Sequence, residues 1–230
     1  MSDHLNPTTM TGKLKAIMNN HSPVVQTIFP TVGDNIHTYI DAQGVLRIPE
    51  GTQEIAMGAF TDDHAIERVW LPDSVTVIGS DAFKNCDSLQ SVRFPRSSLE
   101  IHSGAFMNSA LEYVKMTTCS IICCGAFSSC RHLIRVQLPS NLKVIGEFAF
   151  DGCVRMETIN IPRSVTLIGV YAFAFTHNLD GVLTIPNYCD TFQGSFEECG
   201  ACVLTTGNGV RLSAQQVLNI GLDCFGDLTK

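Results

Sequence analysis

The hydrophobic positions of this 230-residue chain repeat with a period of 23 residues over most of its length. The pair Ala-Phe marks the period, and its phenylalanines are separated by 23, 23, 21, 23, 23 and 23 residues. The seven pairs, the last with Ser in place of Ala, are Ala59-Phe60, Ala82-Phe83, Ala105-Phe106, Ala126-Phe127, Ala149-Phe150, Ala172-Phe173 and Ser195-Phe196. An Ile stands five residues before the Phe in six units, and Val or Ile nine residues after it in five. A fixed period of this length predicts a repeat architecture.

Each unit predicts a strand followed by two turns. Val92 and Phe94 lie on one side of an extended segment, because side chains alternate along a strand. Pro95 ends that strand, since proline has no N–H for a ladder. A flexible corner is predicted at the glycines of three units, Gly79, Gly146 and Gly169. Ala lets the coil turn inward and Phe fills the space between coils, so that stacked coils bury what one coil cannot, in a β-rich repeat solenoid.

The chain is predicted to form one domain in three parts: an N-terminal cap over residues 1–40, a solenoid of about seven units over 41–205, and a helical C-terminal cap over 206–230. Residues 11–18 are expected to form a short helix, and residues 24–39 a degenerate strand pair. Ser213-Ala214-Gln215-Gln216 has the pattern of a helix capping box. This last helix either covers the final coil or docks a partner. The fourth unit is two residues short and has Met116-Thr117 in place of the apolar-Pro pair, so a local kink is expected there.

The repeated string resembles a known family. The pattern Cys-x-x-Leu-x-x-Val-x-Leu-Pro-x-x-Val-x-x-Ile-Gly-x-x-Ala-Phe is similar to the BspA-like class of leucine-rich repeat, over about residues 44–200. The resemblance implies a right-handed coil or horseshoe with parallel strands on its inner face, short turns on its outer face, and helical or irregular terminal caps. Members of the family are commonly bacterial and protist adhesion proteins at the cell surface or secreted, which implies an adhesin as one function.

The net charge and the distribution of apolar residues limit the partners and the cellular location that the sequence predicts. The net charge of −7 argues against nucleic acid, which needs clustered Lys and Arg. Residues 1–20 have no apolar run like the roughly 7–15-residue core of a secretory signal, and no stretch of about 18 apolar residues predicts a membrane span. We therefore expect a cytoplasmic protein; a surface or secreted location, by family resemblance, is the alternative.

Ten cysteines raise the question of metal or redox chemistry. Cys119, Cys123, Cys124 and Cys130 lie close together in the fourth unit, and Cys199-x-x-Cys202 has a ligand-like spacing. However, Cys130 and Cys199 share a repeat position with Cys86 and Cys153, where cysteine packs as a small apolar residue. Packing is the favoured interpretation, with a metal- or redox-responsive fourth unit as the alternative. No cofactor is expected.

Catalysis has no support in the sequence. The seven histidines form no recurrent pair with Cys, Ser or Asp, and neither a phosphate-binding glycine loop nor a nucleophile elbow is present. We expect a protein that is not an enzyme and has no catalytic residues.

The strand positions that face outward say the most about where a partner would bind. Stacked coils lie about 4.8 Å apart, so equivalent residues form columns on one face. The three columns are Trp70, Arg93, Lys115, Gln137 and Asn160; Arg68, Ser91, Tyr113, Arg135 and Thr158; and Glu67, Gln90, Glu112, Ile134 and Glu157. Aromatic residues and arginines dominate the energetics of interfaces.

The predicted binding residues are therefore Arg68, Trp70, Arg93, Tyr113, Lys115 and Arg135. They favour a non-enzymatic module that binds a protein, with an acidic segment as the matching chemistry, or an anionic glycan. The other interpretation is a solvated sheet face on which Glu pairs with Arg across strands.

Overall fold

The computed structural model describes residues 28–30, 36–180, 182–187, 189–191, 194–200, 203–206 and 211–212. Parallel β-strands stack in about seven coils, which confirms the predicted solenoid. The strands in chain order are β1 Ile28–Phe29, β2 Val45–Arg47, β3 Glu54–Ile55, β4 Arg68–Trp70, β5 Val77–Ile78, β6 Ser91–Arg93, β7 Glu100–Ile101, β8 Tyr113–Lys115, β9 Ile121–Ile122, β10 Arg135–Gln137, β11 Val144–Ile145, β12 Thr158–Ile159, β13 Leu167–Ile168, β14 Val182–Ile185, β15 Asp190–Thr191, β16 Val203–Thr206 and β17 Arg211–Leu212. One 3-10 helix, η1, spans Ile36–Tyr39.

Each coil contributes to two parallel sheets. The even-numbered strands β2 to β12 form a six-stranded sheet, and the odd-numbered strands β1 to β15 form an eight-stranded sheet. The second sheet was not predicted, because its two-residue strands are too short to show alternation. From β3 to β13 its second residues, such as Ile55 and Ile78, are completely buried and pair directly across coils. The strands β14, β16 and β17 form a third sheet, in which β17 is antiparallel.

The phenylalanines of the Ala-Phe pairs form a continuous stack along the core. Successive ring centroids are 5.1–5.4 Å apart from Phe60 to Phe196, and the ring planes are within 9° of parallel. The rings are 8% exposed at Phe196 and 1% or less elsewhere. Burying one such ring stabilises the fold by about 1.5–3 kcal/mol, and each stacked pair adds about 0.5–1.5 kcal/mol. The predicted role of Phe between coils is confirmed.

The Ala-Phe turn is itself hydrogen-bonded from coil to coil. From Phe60 to Phe173, each Phe N–H of the column donates to the carbonyl of the Ala, or of Ser195, in the following coil, at 2.7–2.9 Å. The residues two before and two after each Phe have left-handed backbones, with φ from +48° to +68°. The first of these columns holds Gly58, Asp81, Gly104, Gly125, Phe148, Tyr171 and Gly194. The second holds Asp62, Asn85, Asn108, Ser129, Gly152, Phe175 and Glu198.

Gly79, Gly146 and Gly169 were predicted to form flexible corners, and that explanation was wrong. None of the three has a left-handed φ. Instead, a Cβ on Gly146 would stand 2.8 Å from the carbonyl carbon of Cys123 and from the amide nitrogen of Cys124. These glycines therefore allow two coils to approach closely, and they do not supply flexibility.

The short fourth unit keeps both sheets in register. Tyr113 follows Phe106 by seven residues where Ser91 follows Phe83 by eight, and one further residue is missing between β8 and β9. One residue is thus missing from the connection before β8, and one from the connection after it. At this junction β6 pairs with β8, and β7 with β9, through a single residue pair, against three pairs for β4 with β6 and two for β5 with β7. Fewer residues pair between the strands at this junction, but both sheets continue across it.

The ends of the solenoid are described in part. At the N-terminus β1 extends the eight-stranded sheet, and Phe29 packs against Phe60 at 6.1 Å and against Tyr39 at 4.8 Å, so these rings cover the first coil. At the C-terminus β17 pairs antiparallel with β16. The predicted helix over 11–18 and the capping box at 213–216 lie outside the described residues, and the domain bounds stay a prediction. In the described part of the chain, no helix has the length and apolar character to cross a membrane.

Replacing Gly146 with Ala should lower the free energy of unfolding by about 1–3 kcal/mol, because its Cβ would overlap the backbone of the preceding coil. Gly152→Asn is the matched control: Gly152 is left-handed, its nearest neighbours to a Cβ are 3.5 Å away, and Asn stands at the equivalent positions 85 and 108. Urea unfolding measures both. Equal stability of the two variants would contradict the close-approach explanation.

Candidate functional site

The six-stranded sheet fixes which side chains face outward. Its central residues point into the core; Val69 is fully buried and Val114 is 2% exposed. Apart from the buried Val45 of β2, the residues before and after each central residue therefore face solvent. The first outward column contains Arg68, Ser91, Tyr113, Arg135 and Thr158. The second contains Arg47, Trp70, Arg93, Lys115 and Gln137. We call these two columns the strand face.

All six predicted binding residues lie on the strand face and are exposed. Trp70 is 46% and Tyr113 is 54% exposed, which is high for large rings in a folded domain. Trp70 and Arg93 are direct neighbours across β4 and β6, and Tyr113 and Arg135 are neighbours across β8 and β10. The sheet thus brings the residues together as predicted; their role in binding is a proposal taken up below.

Arg47 belongs to the same surface and was missed by the sequence analysis. Its guanidinium carbon lies 4.0 Å from the centre of the Trp70 ring, a cation–π contact of about 0.5–1 kcal/mol at an exposed site. The Asp41 carboxylate lies 3.6 Å from the Arg47 guanidinium. The signal was present in the chain, because Arg47 stands two residues before Pro49 as Trp70 does before Pro72.

The cations of the strand face are not neutralised by the neighbouring glutamates. Glu67, Glu112 and Glu157 are all exposed beside the first column. Yet among the described residues no carboxylate lies within 4 Å of Arg68, Arg93, Lys115 or Arg135. The cross-strand Glu–Arg pairs of the alternative interpretation are therefore not formed in this part of the chain. The guanidinium groups on this face are available to bind an anion.

An open cleft of about 600 Å³ continues the strand face at its C-terminal end. Polar and apolar side chains line it, with Arg163 as its cation. It lies where the six-stranded sheet ends at β12, since β14 of the next coil pairs with β16. The other polar lining residues are Gln137, Ser140, Thr158, Asn160 and Ser164. The cleft offers hydrogen-bonding groups without a second cation.

The repeated cysteines belong to the core. Cys86, Cys130 and Cys153 each donate from Sγ to the Phe carbonyl of the preceding coil, at 3.0, 3.1 and 3.2 Å. Burial raises the pKa of Cys86 to about 12 and of Cys130 to about 11. These thiols stay protonated near neutral pH and are poor nucleophiles and poor metal ligands.

The fourth-unit cysteines do not form a metal cluster in the described structure. Cys119 is buried, and burial raises its pKa to about 12. Cys123 is half-buried and Cys124 is exposed. Among the described residues no two cysteines form a disulfide, and within the residues that the structure places no group of three His, Cys, Asp or Glu side chains could hold a metal. Cys202 lies outside the described residues, so its spacing from Cys199 is not tested.

Two of the described histidines, His64 and His102, pair with acidic side chains. His64 Nδ1 lies 2.7 Å from Asp87 in the next coil, and this hydrogen bond raises the pKa of His64. His102 lies 3.5 Å from Glu100. Both histidines have carboxylate neighbours and neither pair includes a Ser or Cys nucleophile.

Comparison with known proteins supports the repeat. The family model of the BspA type leucine-rich-repeat region matches in six copies, over residues 53–180 and 100–228. Among solved structures, a leucine-rich-repeat protein of T. pallidum is similar with a TM-score of 0.65 and 28% identity, over 80% of this chain and 83% of that one.

Two further solved structures are less similar. One is a leucine-rich-repeat protein of Bacteroides ovatus (TM-score 0.41, 21% identity, 73% of this chain and 58% of that one). The other is a leucine-rich cell surface protein of Faecalibacterium prausnitzii (TM-score 0.45, 23% identity, 76% of this chain and 62% of that one). No curated protein matches the chain.

Alkylation of the native protein should label Cys124 and spare Cys86, Cys119, Cys130 and Cys153. The four are buried, which shields the sulfur and raises their pKa values so that thiolate is scarce at pH 8. Cys124 is exposed to the reagent, although burial raises its pKa as well. Iodoacetamide followed by peptide mass spectrometry measures each site, and the urea-unfolded protein is the control in which all should react. Labelling of the four at the rate of Cys124 would show that they are not core residues.

Proposed function

Because the chain belongs to the BspA-type leucine-rich-repeat proteins, we propose that it is a non-enzymatic binding module whose strand face holds a protein partner. One observation carries the proposal: a ladder of exposed cations and aromatic rings lies on one face of the six-stranded sheet, with no carboxylate within 4 Å of Arg68, Arg93, Lys115 or Arg135 among the described residues.

The chemistry of this surface favours an acidic segment. Arginine binds carboxylates through two parallel hydrogen bonds, which adds geometric specificity to charge attraction. Trp70 and Tyr113 offer apolar area that a partner would remove from water. The contact with Arg47 fixes the Trp70 ring before binding, so less side-chain entropy is lost on association. The net charge of the whole chain is −7, so an acidic partner is attracted to this face and not to the molecule at large.

Two alternative functions differ from this one in location or in the coil that they use. A surface adhesin would use the same strand face from another compartment; we propose the cytoplasm, and surface labelling of intact cells separates the two. A metal- or redox-responsive protein would use the fourth coil. This last function has less support, because burial raises the pKa values of Cys119 and Cys123.

The variant Arg68→Glu, Arg93→Glu, Arg135→Glu should bind an acidic probe at least about tenfold more weakly than the wild type, a loss of about 1.4 kcal/mol. With the three charges reversed, the carboxylates of the variant repel the carboxylates of the probe. Fluorescence anisotropy with labelled poly-glutamate measures the affinity, and the wild-type affinity should fall as salt rises.

The matched control is Arg131→Glu, Lys143→Glu, Arg155→Glu, which makes the same change in net charge at exposed positions outside the strand face. It should bind nearly as the wild type does. Heparin serves as a parallel probe: binding of heparin without poly-glutamate would assign the face to an anionic glycan. Equal binding of poly-glutamate by all three proteins would refute the proposal.

A further inference from the structure

The turns of the fifth and sixth coils carry aromatic rings where the backbone is left-handed. Phe148, Tyr171 and Phe175 have φ of +54°, +53° and +55°. We call these three residues the aromatic ridge. In the other coils the same two columns hold no aromatic residue; they hold Gly, Asp, Asn, Ser and Glu. A bulky side chain is disfavoured in this conformation, whereas Gly, Asn and Asp tolerate it.

The ridge is not part of the core. Phe148 is 39% and Phe175 is 38% exposed, while the neighbouring core rings Phe150 and Phe173 are fully buried. Tyr171 is half-buried and stacks on Phe148 with ring centroids 5.4 Å apart. Its ring also lies over Gly194, where a Cβ would stand 2.3 Å from the Tyr171 Cε1. The chain therefore combines backbone strain with exposed apolar surface, a combination that concentrates at functional sites.

The turns that carry the aromatic ridge are acidic, and the His177 ring lies edge-on to Phe175 with the centroids 6.1 Å apart. The segments 145–151, 168–175 and 194–199 contain four carboxylates and no Lys or Arg. The carboxylates are Glu147, Asp151, Glu197 and Glu198. The faces of aromatic rings are also electronegative and attract cations. A planar guanidinium stacks on a ring and forms paired hydrogen bonds with a carboxylate, which an ammonium group cannot do.

We propose that the aromatic ridge binds an arginine-rich segment of another protein. This surface carries the opposite charge to the strand face and lies on the turns, so it is a second site that does not depend on the first. The ridge offers the exposed rings of Phe148 and Phe175 for stacking and four carboxylates for pairing, with no Lys or Arg in the same turns.

The test replaces each ring with a residue found in the same column of another coil. The variant Phe148→Gly, Tyr171→Gly, Phe175→Asn copies Gly104, Gly125 and Asn108. Its melting temperature should stay within about 3 °C of the wild type or rise, since strain is relieved. Its affinity for a labelled oligo-arginine peptide should fall at least about tenfold. The wild type should prefer oligo-arginine to oligo-lysine of equal length.

Two further variants separate the two sites. Glu147→Gln, Glu197→Gln, Glu198→Gln should also weaken oligo-arginine binding, and Trp70→Ala, Tyr113→Ala on the strand face should leave it unchanged. A large drop in the melting temperature of the ridge variant would show that the rings are structural and would overturn the proposal. Retained oligo-arginine binding, or equal binding of oligo-lysine, would also overturn it. Sedimentation that shows ridge-dependent self-association would do the same, because a second copy would then be the occupant.

Discussion

The contact between successive coils is the constraint on which the rest of the structure depends. No coil has a core of its own; each buried Phe finds its neighbour in the next coil, at 5.1–5.4 Å. Backbone hydrogen bonds join the coils on three sides: through the two sheets and through the Phe N–H of each turn. Stability is thus a sum over neighbouring coils, as in other solenoids. The close approach at Gly79, Gly146 and Gly169 belongs to the same constraint.

The spacing that stacks the core also organises the two charged surfaces. On the strand face it places Trp70 beside Arg47 and Arg93, so a ring and two guanidinium groups share one column. On the turns it places Phe148 against Tyr171. Each surface is a ladder whose step is set by the backbone, and the side chains can vary from coil to coil without disturbing the fold. This is how a regular scaffold comes to carry irregular chemistry.

The core and the strand face could be predicted from the sequence because both follow from the 23-residue period. The Phe column and the alternation around Val69 predicted burial and exposure directly. The eight-stranded sheet escaped prediction, since a two-residue strand has no periodicity of its own. The left-handed columns were visible as recurrent glycines and asparagines, but Phe148 and Tyr171 broke the pattern. Arg47 was overlooked because its coil has no preceding Ala-Phe pair.

Amide hydrogen exchange tests the central claim most directly, because it reports the inter-coil hydrogen bonds of the turns. The N–H groups of Phe83, Phe106, Phe127 and Phe150 donate to the next coil at 2.7–2.9 Å, although they lie in turns. The account predicts that they exchange as slowly as the amides of β4 and β10 in the six-stranded sheet. Exchange of these four amides within seconds, at the rate of ordinary surface turns, would contradict it.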